Sequence, residues 1–287
     1  MEIIDSKELL NKAIKPRKSD SKKGDNGIAL VVGGSWLYHG APTLAALAAL
    51  RSGIDLVYLA TPKNIAPSIR AISPNLIVLP LPDAKLTKGS ARRLIKWLPK
   101  KVDSSVIGPG LGKQNTDGMK LLVDELSMSK IKILLDADAL QLDVIERLKG
   151  KDCVITPHAG EFKRVFNIEL KGNYEDKAIM VKEKAKEYNI IVLLKGKYDI
   201  ISDGERVVIN KTGCSAMTVG GTGDVLAGLV AGLMAKGIEP FIASVFGAYI
   251  NGIAGERAYQ KLGLHIMATD LIDELPFILK PFDRVEE

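Results

Sequence analysis

Glycine is densest at Gly220-Gly221-Thr222-Gly223-Asp224, directly ahead of the apolar run Val225-Leu226-Ala227-Gly228. Glycines let the chain approach a ligand closely. The first turn of a helix starting there leaves N–H groups unpaired, and with the helix dipole these form an anion hole at Gly221, Thr222 and Gly223. Asp224 sits inside that positive end, which favours its ionised form. A carboxylate beside a phosphate-sized hole suits a general base that deprotonates a hydroxyl attacking phosphorus. A simple capped helix start accounts for Gly223-Asp224 but not for the glycine density. Gly228 and Gly232 form a second small-residue patch, suited to packing. No Gly-x4-Gly-Lys-Ser/Thr sequence occurs, and Gly33-Gly34-Ser35 does not spell Gly-x-Gly-x-x-Gly. A P-loop enzyme and an ordinary dinucleotide dehydrogenase both lose ground.

Other candidates follow strand-like runs. Gly108-Pro109-Gly110-Leu111-Gly112 is either a close-approach loop for a substrate or a plain tight turn. Asp136 and Asp138 either share a face and aim at a metal or solvent, or Asp138 caps the next helix. In Thr156-Pro157-His158-Ala159-Gly160-Glu161, His158 and Glu161 stand three apart at a strand-to-helix junction and can face one cleft. A hard cation such as Mg²⁺ suits Glu161, through water. His158 taken alone is as readily structural as catalytic, and His39 and His265 are read as structural. Lys195, after a four-residue apolar strand and before Gly196, either meets a nucleotide phosphate or is solvated.

The elements that must position these residues alternate. Apolar runs at Ile28–Val32, Leu56–Ala60, Ser105–Ile107, Ile131–Leu135, Cys153–Thr156 and Ile191–Leu194 are interleaved with helical patterns at Pro42–Arg51, Met119–Met128 and onward to Arg147. Strands this apolar, joined by helices, predict an α/β fold: a mostly parallel central sheet covered on both faces, with ligands at the C-terminal strand ends. Asp199–Ser202 and Arg206–Ile209 flank Asp203-Gly204 and predict a hairpin at the sheet edge. Helices follow at Val225–Lys236, Pro240–Gln260 and Thr269–Leu275. The expectation is a single domain over residues 1–287, with roughly the first 25 residues loosely attached.

Bulk properties narrow the class. The chain has 287 residues, 46% of them hydrophobic, enough for a sizeable core. No apolar run is long enough to span a membrane, and the start lacks the features of a signal peptide. Two distant cysteines, Cys153 and Cys214, argue against a disulfide framework and point to a reducing cytoplasm. The net charge of +6 comes from scattered lysines, and aromatics make up 5%. That argues against nucleic acid and for a solvated surface or one that attracts anionic substrates.

Taken together, the motifs resemble the ADP-dependent NAD(P)H-hydrate dehydratases of the ribokinase-like superfamily, over about Lys22 to Leu275. The opening block is Lys22-Lys23-Gly24-Asp25-Asn26-Gly27 with Gly33-Gly34-Ser35, Tyr38 and Gly40-Ala41-Pro42. Gly108–Gly112, Leu135–Leu140 and Thr156–Glu161 match the middle blocks. Leu194-Lys195-Gly196 and Asn210 through Gly228 match the last ones. The resemblance implies a ribokinase-like fold and dehydration of (6S)-NADHX and (6S)-NADPHX to NADH and NADPH at the expense of ADP, or of ATP in some members. It implies Asp224 as catalytic base, and Ala41, Gly110, His158 and Asp224 as contacts of the hydrated cofactor. Lys195, Gly196, Lys197, Tyr198, Asp199 and Gly223 are implied to hold the nucleotide, and Glu161 to stand near Mg²⁺.

Family members often form tetramers, so the expected partners are these small molecules and further copies of the chain. Many microbial members carry a fused epimerase domain ahead of this one, and with about 25 residues before the first strand none is expected here. Lys197-Tyr198-Asp199 stands where the family usually has a glycine and a threonine, and Ala159 and Lys211 where it often has proline. These departures bear on nucleotide choice and loop shape. Two readings compete: a vitamin-precursor kinase, which shares the glycine turn but would leave phosphate on its product, and a nucleotide-binding regulatory or scaffold protein, which would bind without turnover and have no need of Asp224.

Overall fold

Alternation within single strands decides the architecture. In the strand Ile28–Val32, Ala29 and Val31 pack into one core while Leu30 and Val32 pack into another, and all five residues are buried. Val106 and Ile107, Leu134 and Leu135, and Val154 and Ile155 divide in the same way. Successive side chains point to opposite faces, so a strand covered on both sides must be apolar throughout.

The computed structural model describes residues 13–113 and 116–287. After a two-residue strand β1 (Arg17–Lys18), the chain runs β2 (Ile28–Val32), α1 (Gly40–Arg51), β3 (Leu56–Pro62), α2 (Ala66–Ile72) and β4 (Ile77–Leu81). It continues through α3 (Lys88–Trp97), β5 (Ser104–Ile107), α4 (Asp117–Met128), β6 (Lys132–Leu135), the short α5 (Leu142–Ile145) and β7 (Cys153–Ile155). Next come α6 (Ala159–Phe166), α7 (Tyr174–Tyr188), β8 (Ile191–Leu194), β9 (Asp199–Ser202) and β10 (Val207–Asn210). Three long helices, α8 (Thr222–Ala235), α9 (Pro240–Leu262) and α10 (Ala268–Leu279), precede β11 (Val285–Glu286).

Nine strands form one sheet in the order β10-β9-β8-β7-β6-β5-β2-β3-β4. Strands β2 to β8 are parallel, and β9 runs antiparallel to both neighbours, so the hairpin lies at the edge as expected. Helices α1, α8, α9 and α10 cover one face, and α3, α4, α6 and α7 the other. The strand order reverses between β2 and β5, where an open α/β sheet offers a crevice at its carboxyl end. The two glycine turns meet there: the Gly34 N–H donates to Pro109 O at 2.8 Å. A side chain at Gly33 would lie 2.3 Å from that same carbonyl.

Two elements carry no clean pattern in the sequence. Strand β4 contains Pro80, which an edge strand tolerates because one of its sides makes no ladder bonds. Helix α3 has a mixed, charged surface, and only Ser90, Ala91 and Leu94 are buried. The segment expected to be loose is held down from residue 13 onward, while residues 1–12 lie outside the described residues. Ile14 is buried, β1 pairs with β11, and the Asp55 carboxylate accepts the N–H groups of Gly24 and Asn26 at 2.8 and 3.1 Å. A carboxylate that gathers backbone donors is a strong local anchor.

Helix α8 is seated by contact between backbones. A Cβ at Gly228 would fall 1.9 Å from Ala45 O of α1, and one at Gly232 would fall 2.2 Å from Ser52 Oγ. Gly228→Ala is therefore expected to push α8 off α1 and to cost at least about 2 kcal/mol, the scale of overpacking a dense core. Urea unfolding at fixed pH checks this. Stability equal to that of the parent would mean the two helices separate freely.

Candidate active site

The site forms where β6, β7, β8 and α8 converge. Strand β8 leads directly into Lys195, whose N–H donates to Pro157 O at 2.8 Å, and Lys195 bridges His158 just beyond the strand ends. The Lys195 side chain is 19% exposed. Its ammonium donates to Asp136 Oδ1 at 2.7 Å and lies 3.8 Å from Glu161 Oε2. Burial alone would lower its pKa, but Asp136, Glu161 and Asp224 together raise it, so Lys195 stays charged. The strand-end lysine is thus a buried, paired group rather than a solvated one.

Asp136 is 2% exposed and also accepts the Thr156 hydroxyl at 2.8 Å. Asp138 caps nothing: its Oδ2 accepts the Gly112 N–H at 2.8 Å and fixes the Gly108–Gly112 turn. The two carboxylates do not continue a strand, because Ala137 between them turns into the left-handed region at φ 51° and begins a 3₁₀ turn. A Cβ at Gly110 would meet Tyr38 O at 2.6 Å and Ala41 Cβ at 3.2 Å, so Ala41 and Gly110 are in contact.

His158 caps α6. Its Nδ1 accepts the N–H groups of Gly160 and Glu161 at 3.0 and 3.3 Å, while Glu161 Oε2 accepts the His158 N–H at 2.9 Å. With Nδ1 accepting, the proton of a neutral ring sits on Nε2. Glu161 Oε1 is 3.7 Å from Nε2.

Gly221 opens α8 in the left-handed region at φ 97°, and no side chain caps the terminus. A side chain at Gly221 would strike Leu44 of α1 and Ala268 of α10, and one at Gly223 would lie 3.5 Å from Lys195 Nζ. The free end of the helix therefore faces the lysine. Asp224 departs from expectation here. Its carboxyl is pushed up to about 7, by burial first, then by Asp136, Asp138 and Glu161, against the opposing pull of Lys195. The helix terminus does not hold it fully ionised at neutral pH, because desolvation and like charge outweigh the dipole.

Beside the α8 terminus lies a cleft of about 550 Å³ that gathers Lys195, Gly196, Lys197, Tyr198, Asp199 and Gly223. Asp199 acts within the loop: it accepts the Gly196 N–H and the Asn210 amide, each at 3.1 Å. Tyr198 packs edge-on to Tyr174 with centroids 5.4 Å apart, and the ammonium groups of Lys197 and Lys211 sit 5.5 and 5.8 Å from its ring. Tyr174 and Asn251 carry no motif that marks them as site residues. Tertiary packing brings them in from elements far apart in the sequence.

Among the described residues, no three carboxylate, imidazole or thiol groups converge to hold a metal directly. The donors present are carboxylate oxygens in surplus over Lys195, a set that fits a hard cation bound through water rather than a caged one.

A mostly parallel sheet whose glycine-rich helix terminus faces a nucleotide-sized cleft defines a ribokinase-like enzyme. A ribokinase-like superfamily protein of Enterococcus faecalis V583, at 22% identity, has the same fold, with a TM-score of 0.77 and 99% of each chain covered. The profile of the NAD(P)H-hydrate dehydratase family matches residues 29–277, and the chain belongs to that family. An ADP-dependent (S)-NAD(P)H-hydrate dehydratase of Cenarchaeum symbiosum is 50% identical over 277 residues, 96% of each chain. The ADP/ATP-dependent NAD(P)H-hydrate dehydratase of Bacillus subtilis, crystallised with ATP and Mg²⁺, is 28% identical with a TM-score of 0.82, covering 96% of this chain and 97% of that one.

The raised Asp224 carboxyl has a consequence for stability. An unfolded aspartate titrates near 4, whereas the folded protein keeps this proton until about pH 7. The folded state binds more protons between those limits, so this group lowers stability progressively as pH rises from about 4 to 7. Asp224→Asn cannot ionise. It is expected to exceed the parent by a few kcal/mol above pH 7, on the order of 1.4 kcal/mol for each pH unit that separates the folded and unfolded midpoints, with the gap closing near pH 4. Denaturant unfolding across that range measures the gap, and a gap independent of pH would contradict the assignment.

Proposed function

We propose that the chain converts (6S)-NADHX and (6S)-NADPHX to NADH and NADPH, consuming ADP and releasing AMP and phosphate. The observation that carries this reading is Asp224, titrating near 7, at an uncapped helix terminus beside a cleft of nucleotide size. The hydrated ring lies at the crevice between β2 and β5, touching Ala41, Gly110 and His158. The nucleotide lies along Lys195 to Asp199, with its terminal phosphate at Gly221 to Gly223. Asp224 takes the proton of the substrate hydroxyl, and the oxygen attacks the terminal phosphorus of ADP. The bond to the bridging oxygen breaks, and AMP leaves. The N–H groups of Gly221, Thr222 and Gly223 and the Lys195 ammonium stabilise the charge on the moving phosphoryl group.

Hydroxide is a poor leaving group from the ring, and phosphate is a good one. When the carbon–oxygen bond breaks, the neighbouring ring carbon loses a proton, the double bond returns and inorganic phosphate departs. A carboxyl that titrates near the working pH is suited to accepting and returning the proton. Mg²⁺ bound with the nucleotide would neutralise phosphate charge, with Glu161 holding its water shell. A cytoplasmic setting belongs to the same proposal and rests on two unpaired cysteines, one of them buried; no helix among the described residues is long and apolar enough to cross a membrane. Assembly into a homo-oligomer belongs to the same proposal.

Hydrated NADH supplied with ADP should yield NADH and AMP in equal amounts, with phosphate free in solution. Phosphate retained on an organic product would instead mark a kinase. Asp224→Asn is expected to slow turnover at least a hundredfold, about 3 kcal/mol of barrier, with nucleotide binding little changed. A rate within a few-fold of the parent would remove Asp224 from the mechanism. Lys195→Ala should raise the nucleotide concentration needed for half-maximal rate, and an unchanged requirement would reduce Lys195 to a structural ion-pair partner.

A further inference from the structure

No side chain caps the N-terminus of α8, so the aim of its first N–H groups depends on the segment that leads into it. That segment joins β10 to α8 and is irregular apart from the 3₁₀ turn Ser215–Thr218. The Thr222 hydroxyl donates to Met217 O at 3.0 Å, with Val219 O 3.3 Å away, and so hangs the start of α8 on that turn. The turn must itself be held from elsewhere.

Helix α9 holds it. A Cβ at Gly252 would fall 2.1 Å from Thr212 Oγ1, and one at Gly255 would fall 2.2 Å from Met217 Sδ, so the segment lies directly against the helix. Those contacts are packing and set little direction. The directional contact is Glu256, whose Oε1 accepts the Gly213 N–H at 2.8 Å. Gly213 stands in the left-handed region at φ 109°, where the chain turns away from β10. A carboxylate acceptor makes this one of the stronger kinds of backbone hydrogen bond. Glu256 is half-buried and makes no ion pair among the described residues, whereas the guanidinium of Arg257 beside it is taken by Glu274 at 2.7 Å. Its carboxylate is committed to the loop.

We propose that Glu256 is a positioning residue for phosphoryl transfer: by holding Gly213 it fixes the turn that carries Thr222, and so aims the first N–H groups of α8 at the terminal phosphate. The inference rests on that helix terminus being the site of the terminal phosphate. It has a signature that general support of the fold lacks. AMP has no terminal phosphate and gains nothing from the aim of α8, whereas ADP does.

Isothermal titration of the full chain with ADP and AMP, Mg²⁺ present throughout, tests this without the hydrated cofactor. The parent should bind ADP about tenfold tighter than AMP or better, the scale of one charge-assisted contact. Glu256→Ala should narrow that gap to about threefold by weakening ADP alone, leaving AMP affinity within about twofold of the parent. Glu256→Gln keeps an oxygen that can accept the Gly213 N–H, and should keep the parent's gap within about twofold. In turnover Glu256→Ala should lower kcat about tenfold, and Glu256→Gln by no more than about threefold. Should Glu256→Ala fail to fold, Glu256→Asp, one methylene too short to reach Gly213, replaces it with the same expected narrowing.

ADP and AMP weakened alike would make Glu256 a general support of the cleft and overturn the inference. So would an unchanged gap, or a gap lost equally in Glu256→Gln. A parent that binds ADP no tighter than AMP would instead sink the placement of the terminal phosphate at α8, a separate failure from these.

Discussion

One ammonium facing several carboxylates is the constraint on which this site depends. Lys195 is mostly buried, bonded to Asp136 and near Glu161, with Asp224 close enough to raise its proton affinity. The same carboxylates, together with Asp138, push the Asp224 carboxyl toward neutrality. An excess of negative charge held out of water is costly unless something positive arrives. The uncapped terminus of α8 supplies partial positive charge from one side. The remaining imbalance is one that a proton or a cation would relieve.

The scaffold supplies this arrangement through close backbone contacts. Helix α8 can point its terminus at Lys195 because Gly228 and Gly232 let it rest on the backbone of α1, and because Gly221 takes a left-handed turn. The crevice at the β2–β5 reversal is held by the Gly34–Pro109 hydrogen bond, and Asp138 ties that crevice to the charge cluster. His158 and Glu161 serve two purposes at once. Their capping box starts α6, and Glu161 at the same time stands 3.8 Å from the Lys195 ammonium.

The features legible in the sequence are those set by neighbours along the chain. Apolar runs, the glycine turn, the Asp203-Gly204 hairpin and the residues at strand ends all follow local rules, and the strand ends do meet in one place. The features that escaped depend on residues distant in sequence. Asp136 finds Lys195 across 59 positions, a pairing no spacing predicts. Asn251 reaches the cleft only through packing of α9. The ionisation of Asp224 shows the limit most clearly. The helix dipole is a local property and argues for a charged carboxylate, whereas burial and surrounding carboxylates are tertiary and argue more strongly against it.

The most direct test of this charge balance is the titration of the Asp224 carboxyl itself, followed by carbon-13 NMR in the full chain and assigned by its loss in Asp224→Asn. The expected midpoint is near 7, moving higher still in Lys195→Met, where the opposing positive charge is removed. A midpoint near 4, unaffected by Lys195→Met, would show that neither burial nor the carboxylate cluster governs this group, and would contradict the charge balance on which the site rests.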